Sequence, residues 1–177
     1  TLGLYHFLLQ QQHDVIVISP NEFPDFLAWL PASEKVMIFE KDVQNCTERI
    51  NQSDIIFTLD FNALHRVGEQ MQKALEAVST TFVMIDHHQL PDSYAQFTYS
   101  DTKMGSTCEM VYHFIHQLGG ENLIDKTVAT CIYTGIVTDS GSFRFPLTTS
   151  TTHRVVADLL DKGVDNPKIH NLLFDTS

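Results

Sequence analysis

Apolar and polar positions along the chain follow two alternating rhythms. "DVIVIS" (14–19), "KVMIF" (35–39), "DIIFTLD" (54–60) and "TTFVMID" (80–86) are short, nearly continuous apolar runs rich in Val, Ile and Thr. Such runs fit strands covered on both faces better than strands with one wet face. Between them lie segments with helical spacing: a short one at 23–30, "FPDFLAWL", then "DVQNCTERIN" (42–51) and "EQMQKALEAV" (69–78). Strands alternating with helices of this length predict βαβ crossovers, and therefore a parallel sheet with helices on both faces.

After Asp86 the rhythm changes. "AQFTYSD" (95–101) alternates and predicts an edge strand. "GSTCEMVYHFIHQLGG" (105–120) predicts a helix with small polar residues at its start and a Gly-Gly stop. The segment 125–143 fits two patterns: its β-branched residues favour a strand, whereas Val128, Ile132, Gly135 and Ile136 fit one helix face. The helix is the preferred reading. "TSTTHRVVADLLDKG" (149–163) predicts a helix with Ser/Thr caps and a Gly terminator, and "NPKIHNLLF" (166–174) a short one with Pro167 in its first turn. The chain opens directly on a helical pattern, with Leu4, Phe7, Leu8 and Gln11 on successive turns. The fold class expected is α/β, a mostly parallel sheet of about five strands with helices on both faces.

Composition narrows the function classes. The 177 residues suffice for one domain with a sizeable core, and 43% hydrophobic with 19% charged content suits a globular chain. No apolar run reaches the about 18 residues of a membrane span. No basic start or small-residue cleavage site marks a signal peptide. Cys46, Cys108 and Cys131 are scattered and form no CxxC pair, which predicts reduced thiols and a cytoplasmic location. The net charge of −11 argues against a generic surface for long duplex nucleic acid. It leaves room for a short phosphate-bearing substrate whose charge is met by bound divalent metal.

The candidate chemistry sits where apolar runs end. Asp60 closes "DIIFTLD", Asp86 closes "TTFVMID" and is followed by His87 and His88, and Asp139 follows the apolar stretch "GIVT". In a parallel sheet the first two acids share one edge, where open α/β sheets bind ligands. An acid and two imidazoles after a buried strand are costly unless something pairs with them. Each residue alone has an ordinary explanation. An Asp after a strand commonly caps a turn or helix, and Asn62 after Asp60 fits that. Asp139 before Ser140-Gly141 fits a turn. Their coincidence points to a metal: carboxylates with imidazoles suit Mn²⁺, Mg²⁺, Zn²⁺ or Fe²⁺.

"IDHHQ" (85–89) resembles the signature of the DHH phosphoesterase superfamily, and three further segments match it in order. "DIIFTLDFNALHRVG" (54–68) looks like the family's second motif. "GSTCEMVYHFI" (105–115) is similar to its Gly-Ser-Thr helix start, and "YTGIVTDSGSFRFPLTTSTTHRVVADLL" (133–160) to its fourth motif as found in the nanoRNase branch. The superfamily contains RecJ-type exonucleases, nanoRNases that also dephosphorylate 3′-phosphoadenosine 5′-phosphate, cyclic-dinucleotide phosphodiesterases and family II inorganic pyrophosphatases. The resemblance implies a Mn²⁺-dependent phosphoesterase using two ions in the complete protein. Its substrates would be short single-stranded oligonucleotides or 3′-phosphoadenosine 5′-phosphate. It implies no membrane partner and allows a homodimer.

Carried over by position, the resemblance implies that Asp60 bridges the two ions and that His87 and Asp139 ligate the second. Asp86 is expected behind the site, orienting a histidine. His88 is expected to reach the scissile phosphate as a proton donor to the leaving oxygen. Arg66 and Arg144 are candidate phosphate contacts, with surface ion pairing as the plain alternative. Gly105, Ser106 and Thr107 could offer backbone N–H groups to an anion, or simply cap a helix. The family's first motif, an Asp-x-Asp segment, is expected before Thr1, and its C-terminal substrate domain after Ser177. Residues 1–177 thus resemble the catalytic-fold domain without those parts. Alternatives are a pyrophosphatase or exopolyphosphatase of the same superfamily, and a non-catalytic nucleotide-binding module.

Overall fold

The computed structural model describes residues 1–174 of the chain; the substrate domain expected after Ser177 lies outside them. The described residues divide into two compact units, one built from residues 16–23 and 35–103, the other from residues 1–15, 24–34 and 104–174.

The first unit is α/β. It contains strands β1 (Ile18–Ser19) and β2 (Met37–Ile38), helix α2 (Val43–Asn51), strand β3 (Ile55–Leu59), helix α3 (Glu69–Glu76), and strands β4 (Thr81–Asp86) and β5 (Phe97–Ser100). All pairings are parallel, as the crossovers predict. The expected five strands, however, form two sheets, β1-β2 and β3-β4-β5. A parallel ladder needs partner strands, and β1 and β2 pair over two residues each, Ile18 with Met37 and Ser19 with Ile38. Ahead of β1 the Val17 carbonyl is paired, accepting the Met37 N–H at 2.9 Å, and the apolar run 14–17 has strand composition beyond its short ladder. In the larger sheet Phe82 and Ile56 face a core of Cys46, Ile50, Met71, Ala74 and Leu75 contributed by α2 and α3. Asp42 caps α2 by accepting from the Asn45 N–H at 3.2 Å.

The second unit is helical: α1 (Leu2–Gln10), α4 (Thr107–Gln117), α5 (Lys126–Asp139), α6 (Ser150–Asp161) and α7 (Asn166–Phe174). Segment 125–143 is thus a helix as far as Asp139. Its buried residues Val128, Ala129, Cys131, Ile132, Tyr133, Thr134, Ile136 and Val137 go round most of the cylinder, the pattern of a central helix. Accordingly α1, α4 and α6 all pack against it. Two glycines permit close approach. A Cβ on Gly3 would meet Ile132 Cγ1 at 2.8 Å, and one on Gly135 would meet Cys108 Sγ at 2.0 Å.

The expected helix at 23–30 is instead a single 3₁₀ turn, Asp25–Leu27, with bonds from Leu27 N–H to Pro24 O and from Ala28 N–H to Asp25 O. Pro24 and Pro31 enclose only six residues, and the position before a proline avoids the α region, so two α turns do not fit. All three cysteines are free thiols. Burial pushes the Cys131 thiol up to about 12, which makes it inert at neutral pH.

Candidate metal centre

The carboxyl ends of β3 and β4 are aligned by their register. Leu59 lies opposite Ile85, and the Asp60 N–H donates to the Ile85 carbonyl at 3.1 Å. Just past that bond Asp60 adopts φ 67°, a left-handed conformation uncommon outside Gly, Asn and Asp. The turn leaves its carboxylate half exposed at the sheet edge. Along β4 successive side chains alternate. Phe82, Met84 and Asp86 share one face and Asp86 is fully buried. Past the strand end, His87 is mostly shielded, and His88 stands against Asp86.

Those placements bring three donors together. One ligand atom each from Asp60, His87 and His88 lies within 4.8 Å of the others. His87 Nε2 stands 3.5 Å from Asp60 Oδ1, and the two imidazole centroids are 4.6 Å apart at 62°. Asp86 accepts from the His88 backbone N–H through Oδ2 at 2.9 Å, and its Oδ1 is 2.7 Å from His88 Nδ1. With Nδ1 held, Nε2 is the nitrogen His88 presents. Tyr94 and Thr58 share a hydrogen bond of 2.7 Å on the same side of the sheet. Burial raises the Tyr94 phenol above its ordinary value, and the charges of Asp86 and Asp92 add to this.

A carboxylate and two imidazoles converging at this spacing fit a divalent cation that accepts both oxygen and nitrogen donors. A buried carboxylate bound to the outer nitrogen of a ligand histidine is the usual way such a ring is oriented.

Each of the other sequence candidates has its own local setting. Asp139 is exposed and belongs to the helical unit, as the last residue of α5. Arg66 is exposed on a 3₁₀ turn at Leu64–Val67. Arg144 is exposed and its Nε donates to the Gly141 carbonyl at 2.7 Å. Ser106 is buried and caps α4, accepting from the Glu109 N–H at 3.0 Å, with Gly105 before it and Thr107 opening the helix. The residue that sequence reasoning undervalued is Asn62. It reads there as a helix-capping neighbour of Asp60, but it is fully buried and donates to the carbonyls of His88 and Gln89. Its one sequence signal was its place two residues after a candidate ligand.

A family profile described as "DHH family, N-terminal domain" matches residues 1–136. The bifunctional oligoribonuclease and PAP phosphatase NrnA of Thermus thermophilus is 30% identical over 164 residues, covering 93% of this chain and 45% of that protein. The NrnA protein of Bacillus subtilis is 34% identical over 94 residues, 52% of this chain and 30% of that one. Among solved structures, an exopolyphosphatase-related protein from Bacteroides fragilis superposes with TM-score 0.97 at 38% identity, over 99% of this chain and 52% of that chain. The chain spans about half the length of that structure and less than half of either NrnA protein. A profile match over most of the chain, on segments that include Asp60, Asp86, His87 and His88, makes it a member of the DHH family.

Proposed function

We propose that this chain forms the catalytic-fold part of a Mn²⁺-dependent phosphoesterase that cleaves short oligonucleotides, 3′-phosphoadenosine 5′-phosphate, or both. One observation carries the reading: Asp60, His87 and His88 converge at the aligned carboxyl ends of two parallel strands, with a buried Asp86 fixing the last of them. The names of the NrnA relatives supply the substrate class.

Divalent metal at such a centre supplies positive charge to the phosphoryl oxygens and a water activated at neutral pH. The chain's own residues divide the remaining work. Asp60 and His87 hold the cation. Asp139 joins them in this reading. Its carboxylate stands at the C-terminal end of α5, where the helix dipole disfavours negative charge, and a residue held against that field suits a cation ligand. His88, with Nδ1 tied to Asp86, presents Nε2 to the leaving oxygen and carries the proton that departs with it. Arg66 and Arg144 meet substrate phosphates, and the Gly105-Ser106-Thr107 start of α4 offers N–H groups to the same charge.

The name of the Bacteroides fragilis structure favours a second reading, hydrolysis of polyphosphate. The full-length protein with Mn²⁺ should release mononucleotides from a diribonucleotide, release phosphate from 3′-phosphoadenosine 5′-phosphate, and lose both activities in EDTA. Turnover of polyphosphate with no nucleotide product would replace the first reading by the second.

A further inference from the structure

We propose that Asn62 is a positioning residue that locks the turn carrying His87 and His88 and so fixes the geometry of the metal centre; the inference rests on the metal reading of Asp60 and His87. Asn62 is fully buried in the short connection after β3. Its single amide nitrogen donates to two successive carbonyls, His88 O at 3.1 Å and Gln89 O at 2.9 Å. Its backbone carbonyl accepts the Asp92 N–H at 2.9 Å. Asn62 therefore ties the strand that delivers Asp60 to the turn that delivers the histidines, on both sides of residues 90–91.

That turn does not hold itself. Leu90 adopts φ 58° while its side chain is 88% exposed, so no burial compensates a left-handed leucine. The left-handed region costs an ordinary L-residue roughly 1–2 kcal/mol, and such conformations persist only where surrounding contacts over-determine them. The Asn62 amide is the buried contact that does so here. His88 is consequently pinned at three points: its N–H and its ring by Asp86, and its carbonyl by Asn62. Asp86 sets the rotation of the ring, and Asn62 sets where the backbone carries it. Only an amide meets the requirement, since two carbonyl oxygens need two N–H donors from one short side chain. An aspartate would face them with oxygen.

The proposal separates from simple packing by variants of the full-length protein. Asn62→Ala removes donors and volume, while Asn62→Leu restores apolar volume without donors. Mn²⁺ affinity is read by electron paramagnetic resonance titration, and folding by thermal melting of the metal-free protein. Both variants should bind Mn²⁺ about 10–100-fold more weakly, because the loosened turn carries the ligand His87 immediately before His88. Asn62→Leu should recover melting temperature but not affinity. Adding Leu90→Gly to Asn62→Ala removes the left-handed penalty and should return part of the affinity. Unaltered Mn²⁺ affinity in the variants, or affinity that simply follows melting temperature, overturns the proposal. If the unaltered protein binds no Mn²⁺, the metal reading fails by itself. The clamp is then judged on the metal-free protein by amide exchange at residues 88–92, which Asn62→Ala must accelerate for the clamp to stand.

Discussion

Asp86 holds His88 at two atoms, accepting the backbone N–H at 2.9 Å and meeting ring Nδ1 at 2.7 Å, while its own side chain is fully buried. A buried carboxylate needs such partners, because an unpaired one would neutralise or unfold its surroundings. The pairing therefore serves the fold and the site together. It satisfies the acid, and it leaves His88 one nitrogen with one direction.

Asp86→Asn tests this directly. An amide of the same shape offers one acceptor and one donor, so either one His88 contact meets donor with donor or Nδ1 must give up its proton and the tautomer inverts. The metal-free protein should stay folded. Turnover of a diribonucleotide by the full-length enzyme should fall roughly 10–100-fold, the usual effect of losing an orienting carboxylate. A loss under twofold in kcat/KM would mean the ring is oriented by something else.

Asp60 stands at φ 67°, so its backbone and its chemistry can be separated. Asp60→Gly and Asp60→Ala both remove the carboxylate and should abolish measurable turnover. They should differ in stability, because alanine in a left-handed conformation costs about 1 kcal/mol more than glycine. For a chain of this size that corresponds to about 2–4 °C in melting temperature, with the glycine variant the higher. Equal melting temperatures would show that the turn relaxes freely once the carboxylate is gone.

Much of the scaffold was legible because it depends on local pattern. The runs ending at Asp60 and Asp86 predicted β3 and β4, and small polar residues marked the starts of α4 and α6 at Ser106 and Thr149. Sheet membership was not legible. Which strands share a ladder depends on pairing between distant segments, and β1 and β2 pair apart from the rest over two residues each. The site divides along the same line. Asp60 and His87-His88 were legible because apolar runs end on them. Asn62 was not, because its value lies in reaching across to residues 88 and 89, which no period in the sequence records.

Gly135 carries a prediction about the helical unit. Its missing side chain admits Cys108, whose sulfur would lie 2.0 Å from an added Cβ. Gly135→Ala should destabilise by about 1–3 kcal/mol despite alanine's better helix propensity, because α4 must shift away from α5. Cys108→Ala in the same chain removes the sulfur and should recover part of the loss, leaving a Cβ contact at 2.8 Å to accommodate. Chemical denaturation of the two variants and the double variant measures the coupling. Additive effects would show that the two helices are not packed through this pair.

The two imidazoles after β4 stand 4.6 Å apart but should fail differently. His87 is mostly shielded and its Nε2 lies 3.5 Å from the Asp60 carboxylate, and the proposed function makes it a metal ligand. His88 is more exposed and meets Asp86 through Nδ1, and the proposed function turns it toward substrate. His87→Ala should weaken Mn²⁺ binding, so raising Mn²⁺ should return part of the turnover. His88→Ala should lose about 10²–10⁴-fold in turnover, the range for a proton-transferring group, and excess metal should not restore it. Substrates with a better leaving group provide a second reading. A phosphoester of nitrophenol needs little protonation of its leaving oxygen, so His88→Ala should be impaired less on it than on a diribonucleotide. His87→Ala should be impaired equally on both. If Mn²⁺ rescues His88→Ala and not His87→Ala, or if the leaving group makes no difference to His88→Ala, the roles of the two imidazoles are reversed.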